Sequence, residues 1–180
     1  MSTELISACH DLIDAPDLAP LGPGPRASVT AIGDLNQQVD DVFNRHGSPR
    51  KAGLVRSLLL LWHDHLEPSH VISQGEHNPD GSLVHAIMHR REPDYSNAKY
   101  WWRSTGDHSC FPAIVEKVEP LVTVDPDLAS LIVPGGTWDP YGFTDAVACG
   151  IRKPESSDRH QLLLQIQKVE TEAVLEFLVG

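Results

Sequence analysis

The chain has 180 residues, 41% hydrophobic and 22% charged, an ordinary globular mix that is long enough for one real core and too short for two large domains. Its 14 Lys and Arg stand against 25 Asp and Glu, and the formal net charge of −11 repels a phosphate backbone, so nucleic acid is not an expected partner. The longest apolar run, residues 58–62, is far too short to cross a bilayer, and the acidic start (Glu4, Asp11, Asp14, Asp17) is no secretory leader, so no membrane partner and a reducing cytoplasm are expected.

A short helix is predicted over residues 3–13. Pro16, Pro20, Pro23 and Pro25, with Gly22 and Gly24, forbid regular structure after it. Residues 1–27 therefore read as an extended Pro/Gly-rich arm, and residues 28–180 as the helical domain. Val29, Ile32, Leu35, Val39, Val42 and Phe43 recur at helical spacing from Ser28 until Gly47 and Pro49 stop them. Residues 50–65 carry Leu54, Val55, Leu58, Leu59, Leu61 and Trp62 and predict a second helix. Pro68 suits the first turn of a third, over 67–75. Asn78, Pro79, Asp80 and Gly81 form a turn signature, after which Ser82 caps a helix reaching Arg91 and ending before Pro93.

Asp94 or Ser96 opens the next helix, which holds Tyr100, Trp101 and Trp102 and stops at Gly106. Short helices follow over 112–119 and 126–133, with 121–124 β-branched enough to read alternatively as a strand. Asp139 and Pro140 open a helix to about Cys149. The chain closes in an amphipathic helix over 157–178, its stripe made of Leu162, Ile166, Val169, Ala173 and Phe177. The expected fold is all-α, a single-domain helical bundle with the extended arm.

Seven of the ten histidines fall between residues 63 and 108. Neutral imidazole is the commonest metal ligand, and carboxylates often complete such sites. His85 and His89 project from one side of their helix, with Glu92 nearly continuing the stripe, and this edge faces either a site or water. His63 and His65 point about 200° apart if their helix continues through them. On that reading His65 enters the apolar face, where it needs a hydrogen-bond partner or a metal, and His63 faces away. His70, one turn into the next helix, is the nearest histidine able to join His65. The metal candidates are thus His65, His70, His85 and His89, for a divalent transition metal (zinc, nickel, iron or manganese), with Asp64 or Glu92 orienting imidazoles or acting as a base. His63 and His77 are the expected bystanders.

A second cluster, Arg90, Arg91, Trp101, Trp102, Arg103 and His108, offers guanidinium forks and indole faces for a small anionic or aromatic ligand. The alternative is an internal network in which Arg91 pairs with Asp94 or Glu92 and the tryptophans enter the core. Cys9, Cys110 and Cys149 are odd in number and widely spaced, so no disulfide framework is expected, and Cys110 reads as a buried small hydrophobe. HExxH, PCxxC, GxSxG, P-loop and GxGxxG signatures are all missing, which removes the most recognisable enzyme classes. Three functions stay open: a metal or acid–base site, a ligand-binding module, and a structural protein whose C-terminal helix packs on a second subunit of a homo-oligomer.

LLLLWHDHLEPSHVISQ (58–74) and GSLVHAIMHRREPDYSNAKYWWRSTGDH (81–108) resemble a family of uncharacterised bacterial and fungal proteins. The resemblance covers roughly the middle third of the chain and implies no catalytic residue, cofactor or substrate.

Overall fold

The computed structural model describes residues 3–14 and 16–180; Met1, Ser2 and Ala15, all within the expected arm, lie outside the described residues. Among the described residues every regular element is helical. The order is α1 (Thr3–Asp11), α2 (Ile32–His46), α3 (Ala52–Trp62), α4 (Leu66–Gln74), α5 (Pro79–Arg91), α6 (Tyr95–Thr105), α7 (Phe111–Val122), α8 (Pro126–Ile132), α9 (Pro140–Gly150) and α10 (Asp158–Val179). Among the same residues no helix is long and apolar enough to cross a membrane.

Two helices sit at the centre. α3 buries Ser57 through Trp62 without a break, together with Leu54 and Val55, so it is covered nearly all round, as a central helix must be. α5 is buried along its length from Gly81 to Arg91, although Ser82, His85, His89, Arg90 and Arg91 are residue types that normally stay wet. It packs on α3, α4 and α6, and α10 closes the other side against α3, α7, α9 and α1. Of the apolar stripe of α10, Leu162, Ile166 and Ala173 are buried within the chain, as are Leu163 and Val174 beside it, while Val169 and Phe177 are half-buried.

Burial of the two arginines of α5 is tolerated because each finds a partner. Arg90 forks Glu170 of α10 through both terminal nitrogens, and neither side chain is more than 1% exposed. Arg91 donates to Asp64 (2.7 Å) and to the carbonyls of Gly22 and Leu61.

The starts of α5, α6, α8, α9 and α10 follow capping chemistry. Asn78 accepts from Gly81 N at 2.9 Å and Pro79 occupies the first helical position, so the expected turn before Ser82 is in fact the first turn of α5. Gly81 is required there, since a Cβ would stand 2.1 Å from the Glu76 carbonyl oxygen. Asp94, Asp125, Asp139 and Ser157 cap α6, α8, α9 and α10. α7 continues past Pro120 to Val122, so residues 121–124 are a helix end and turn, not a strand.

Between α1 and α2 the described residues form no regular element, yet the segment lies against the helices. Ala19 and Leu21 are buried, and Gln167 donates to the carbonyls of Ala19 and Pro20. Its fastening explains the first unusual motif of the sequence, His63, Asp64 and His65.

Candidate metal centre

α3 stops at Trp62, and Asp64 takes a left-handed backbone (φ 62) that turns the chain sharply into α4. The expected helix through residue 65 therefore does not exist, and the two flanking histidines point otherwise than helical geometry requires. His63 is the buried one, at 4% exposure; its Nε2–H donates to the Leu12 carbonyl at 2.7 Å, and its Nδ1 accepts from Thr30 N. Burial lowers the basicity of His63, with Arg26 and His65 adding to the effect against the opposing Leu12 bond. His65 is half-buried and donates to the Thr30 carbonyl at 2.8 Å. Asp64 accepts from Arg26 N (2.9 Å) and from Arg91, while Trp62 Nε1 donates to the Ile13 carbonyl. Residues 62–65 thus clamp the N-terminal segment at Ile13, Leu12, Arg26 and Thr30.

The centre itself forms one helix further on. His70 of α4 meets His85 and His89 of α5, and one ring nitrogen of each lies within 4.8 Å of the others. The α4–α5 packing sets His70 opposite the two α5 rings, which stand one turn apart on the same helix face. Ring centroids are 4.8 Å apart for His70 and His85, 5.2 Å for His70 and His89, and 4.6 Å for the stacked His85 and His89. His85 is 2% exposed and His89 is 4%, whereas the His70 side chain is 29% exposed and forms the open side.

Hydrogen bonds define the inner face. His89 Nδ1–H donates to Glu92 Oε2 at 2.9 Å, which leaves the His89 Nε2 lone pair directed at His85 Nε2, also 2.9 Å away. Asn97 Nδ2 approaches His89 Nε2 at 3.1 Å. Among the described residues His85 Nδ1, a buried atom, has no hydrogen-bond partner. A buried polar atom left without a partner is an exception that calls for an ion, a water or a functional reason.

The electrostatics favour the neutral form of the two α5 rings. Burial pushes the His85 imidazole down to about 4, and the neighbouring His89 and His70 rings add to it. Burial also lowers His89, while Glu92 pulls in the other direction. Neutral rings are the ligating form. Asp94, beside them, is held below the ordinary carboxylate range by bonds from Asn97 N and the Ser96 hydroxyl.

Of the expected metal set, then, the structure brings together His70, His85 and His89, and holds His65 apart at the Thr30 carbonyl. The expected ligand-binding set is dispersed. Arg90 and Arg91 are locked in the ion pairs described above, Arg90 with Glu170, and Arg91 with Asp64 in place of the expected Asp94 or Glu92. Trp102 is buried and donates to Thr144 Oγ1, while Arg103 is exposed. His108 bridges Asp80 (2.9 Å) and Cys110, accepting at Nδ1 from the thiol and from Cys110 N. Burial drives the Cys110 thiol up to about 12, as an inert core cysteine. Of that set only Trp101 belongs to the centre, its ring lying 4.1 Å from His85 at 32°. His77 is exposed.

Sequence reasoning misses Asn97 and Glu67, whose Oε2 lies 4.0 Å from His70 Nδ1. The Glu67/His70 spacing of three on a helix is a usable signal; nothing in the sequence points to Asn97. A separate cavity of about 540 Å³, walled by Leu18, Leu21, Arg26, Ile151, His160 and Leu164, contains none of the expected site residues. No protein-family model, curated protein or solved structure matches the chain.

Proposed function

We propose that this is a transition-metal-binding protein whose centre is His70, His85 and His89, with one coordination position left open. The observation that carries the reading is the convergence of three imidazole nitrogens within 4.8 Å, two of them on the buried rings of α5. Metal–imidazole bonds of ~2.0–2.1 Å at tetrahedral angles put ligand nitrogens ~3.3 Å apart. The 2.9 Å between the two α5 rings is already close to that, and His70, the most exposed of the three, closes the remainder by side-chain rotation. Glu92 supplies the outer carboxylate that fixes the tautomer of a ligating histidine and raises its basicity.

Of the candidate metals, imidazole ligands suit zinc, nickel and iron, whereas manganese prefers oxygen donors, so an all-nitrogen set with no thiolate favours zinc or nickel over manganese. Three protein ligands with a free fourth position is the pattern of zinc sites that bind and polarise a ligand, as opposed to closed structural sites. Such an ion would act as a Lewis acid or lower the pKa of a bound water.

A second reading rests on the 2.9 Å contact itself. With His85 Nε2–H donating to His89, the chain Glu92, His89, His85 is a metal-free hydrogen-bonded network that stiffens the α4–α5–α6 corner. Untagged protein stripped with a chelator and titrated with zinc by calorimetry separates the two. The metal reading expects one equivalent bound, with His89→Ala abolishing it; no binding of zinc, nickel, iron or manganese leaves the structural network as the function of these rings.

A further inference from the structure

Granted the metal centre proposed above, on which the inference rests, the surroundings of its open position decide what can occupy it. The carboxylates around the triad are numerous. Glu92 lies 2.9 Å from His89, Glu67 lies 4.0 Å from His70, and Asp94 acts on His89 from the α5–α6 connection. The nearby cations are engaged elsewhere: Arg90 with Glu170, Arg91 with Asp64, and Lys99 with Asp145 at 2.6 Å. Arg103 stands two residues beyond Trp101, about 200° round α6. Among the described residues, therefore, no guanidinium or ammonium faces the centre to clamp a carboxylate or phosphate.

Aromatic surface adjoins the triad at His85. Trp101 lies against His85 at 4.1 Å, and Tyr100 meets Trp101 edge-on at 5.5 Å and 89°. Tyr100 is 56% exposed, so the rings step outward from the triad to solvent. An incoming ring can extend that series, and its own nitrogen lone pair can reach a metal held by the three histidines.

We infer that the centre takes a neutral nitrogen-donor ligand carrying an aromatic ring, of the azole class, and disfavours carboxylates and phosphates. The azole lone pair takes the open position by displacing a metal-bound water, which leaves to solvent with no proton moved, while the ring packs along Trp101 and Tyr100. An anion gains the attraction of the metal but meets the field of Glu67, Glu92 and Asp94 with no cation to offset it.

The test uses untagged full-length protein loaded with cobalt(II), whose visible spectrum reports ligand entry, titrated separately with benzimidazole, imidazole, azide and benzoate. Benzimidazole is expected to bind about fivefold tighter than imidazole through the added ring contact. Azide and benzoate are expected on the order of tenfold weaker than benzimidazole. Tyr100→Ala should keep the cobalt spectrum and the imidazole affinity and remove most of the benzimidazole advantage. Azide or benzoate binding as tightly as benzimidazole overturns the inference, as does an unchanged benzimidazole advantage in Tyr100→Ala. Wild-type protein that gives no cobalt spectrum overturns the metal centre itself, a result plainly different from cobalt binding with the wrong ligand preference.

Discussion

Acid should destabilise the metal-free protein through His85 before most of its carboxylates respond. The ring's ordinary value is 6.5, and in the fold burial and the flanking rings lower it to about 4. Unfolded chains therefore bind a proton at His85 between those two values and folded chains do not. Stability is fully present above 6.5 and falls as the pH drops towards 4, because the unfolded state gains the proton first. Each pH unit in that interval is worth about 1.4 kcal/mol, so His85 alone accounts for on the order of 3 kcal/mol. His89 and His63, both lowered mainly by burial, act with the same sign. Asp94, lowered by its hydrogen bonds, adds a loss that begins only as the pH falls below its unfolded carboxylate value. The assay is urea unfolding of chelator-treated protein in closely spaced buffers from neutral pH down to the folded value of His85, run beside His85→Gln, which cannot titrate. The wild-type curve should fall more steeply, with the difference between the two confined to the window below 6.5. Parallel curves would refute the reasoning, since they would mean that the folded protein already accepts the His85 proton at its ordinary value.

Three further outcomes are expected. Asp64→Asn keeps a residue that tolerates the left-handed backbone but strips the countercharge from buried Arg91, and should cost about 3 kcal/mol in urea unfolding; zinc affinity should stay within about threefold because the triad is untouched. Gly81→Ala would gain about 1 kcal/mol on helix propensity alone, but the Cβ placed 2.1 Å from the Glu76 carbonyl should make the protein melt lower instead. Glu92→Gln should weaken zinc binding by about tenfold in calorimetry while leaving one equivalent bound, as loss of the outer carboxylate predicts.

Much of the helical layout is legible in the sequence because it rests on local rules. Gly and Pro end α2, the stripe of α10 is regular, and Asp139 with Pro140 marks the start of α9. His85 and His89 pair correctly for the same reason, being four apart on one uninterrupted helix. The failures are places where one backbone angle or one distant partner decides. Asp64 at φ 62 breaks the period from which the orientation of His63 and His65 follows, and no spacing rule announces it. Asn78 and Pro79 fit a tight turn and a capped first turn equally well, because the two share their opening dihedrals. Arg90 reads as free for a ligand because Glu170, its partner, stands 80 residues away, and the salt bridge becomes visible only when α10 is laid against α5.

Histidine density is therefore a poorer guide to a site than the position of individual nitrogens. His63 and His65 hold the N-terminal segment, His108 joins Asp80 to Cys110, and each does so with a nitrogen–oxygen or nitrogen–sulfur bond that needs no metal. His70, His85 and His89 differ in kind. Once His89 Nδ1–H donates to Glu92, the buried His89 Nε2 lone pair faces both the Asn97 amide and a second buried imidazole nitrogen, and the far nitrogen of His85 has no partner among the described residues. In a metal-free ring pair one proton between the two nitrogens satisfies one contact and leaves the other ring nitrogen of His85 unpaired. A shared cation would use both Nε2 lone pairs at once and recruit His70, moving the His85 proton to its far nitrogen, and burial has already lowered the two α5 rings towards the neutral, ligating state.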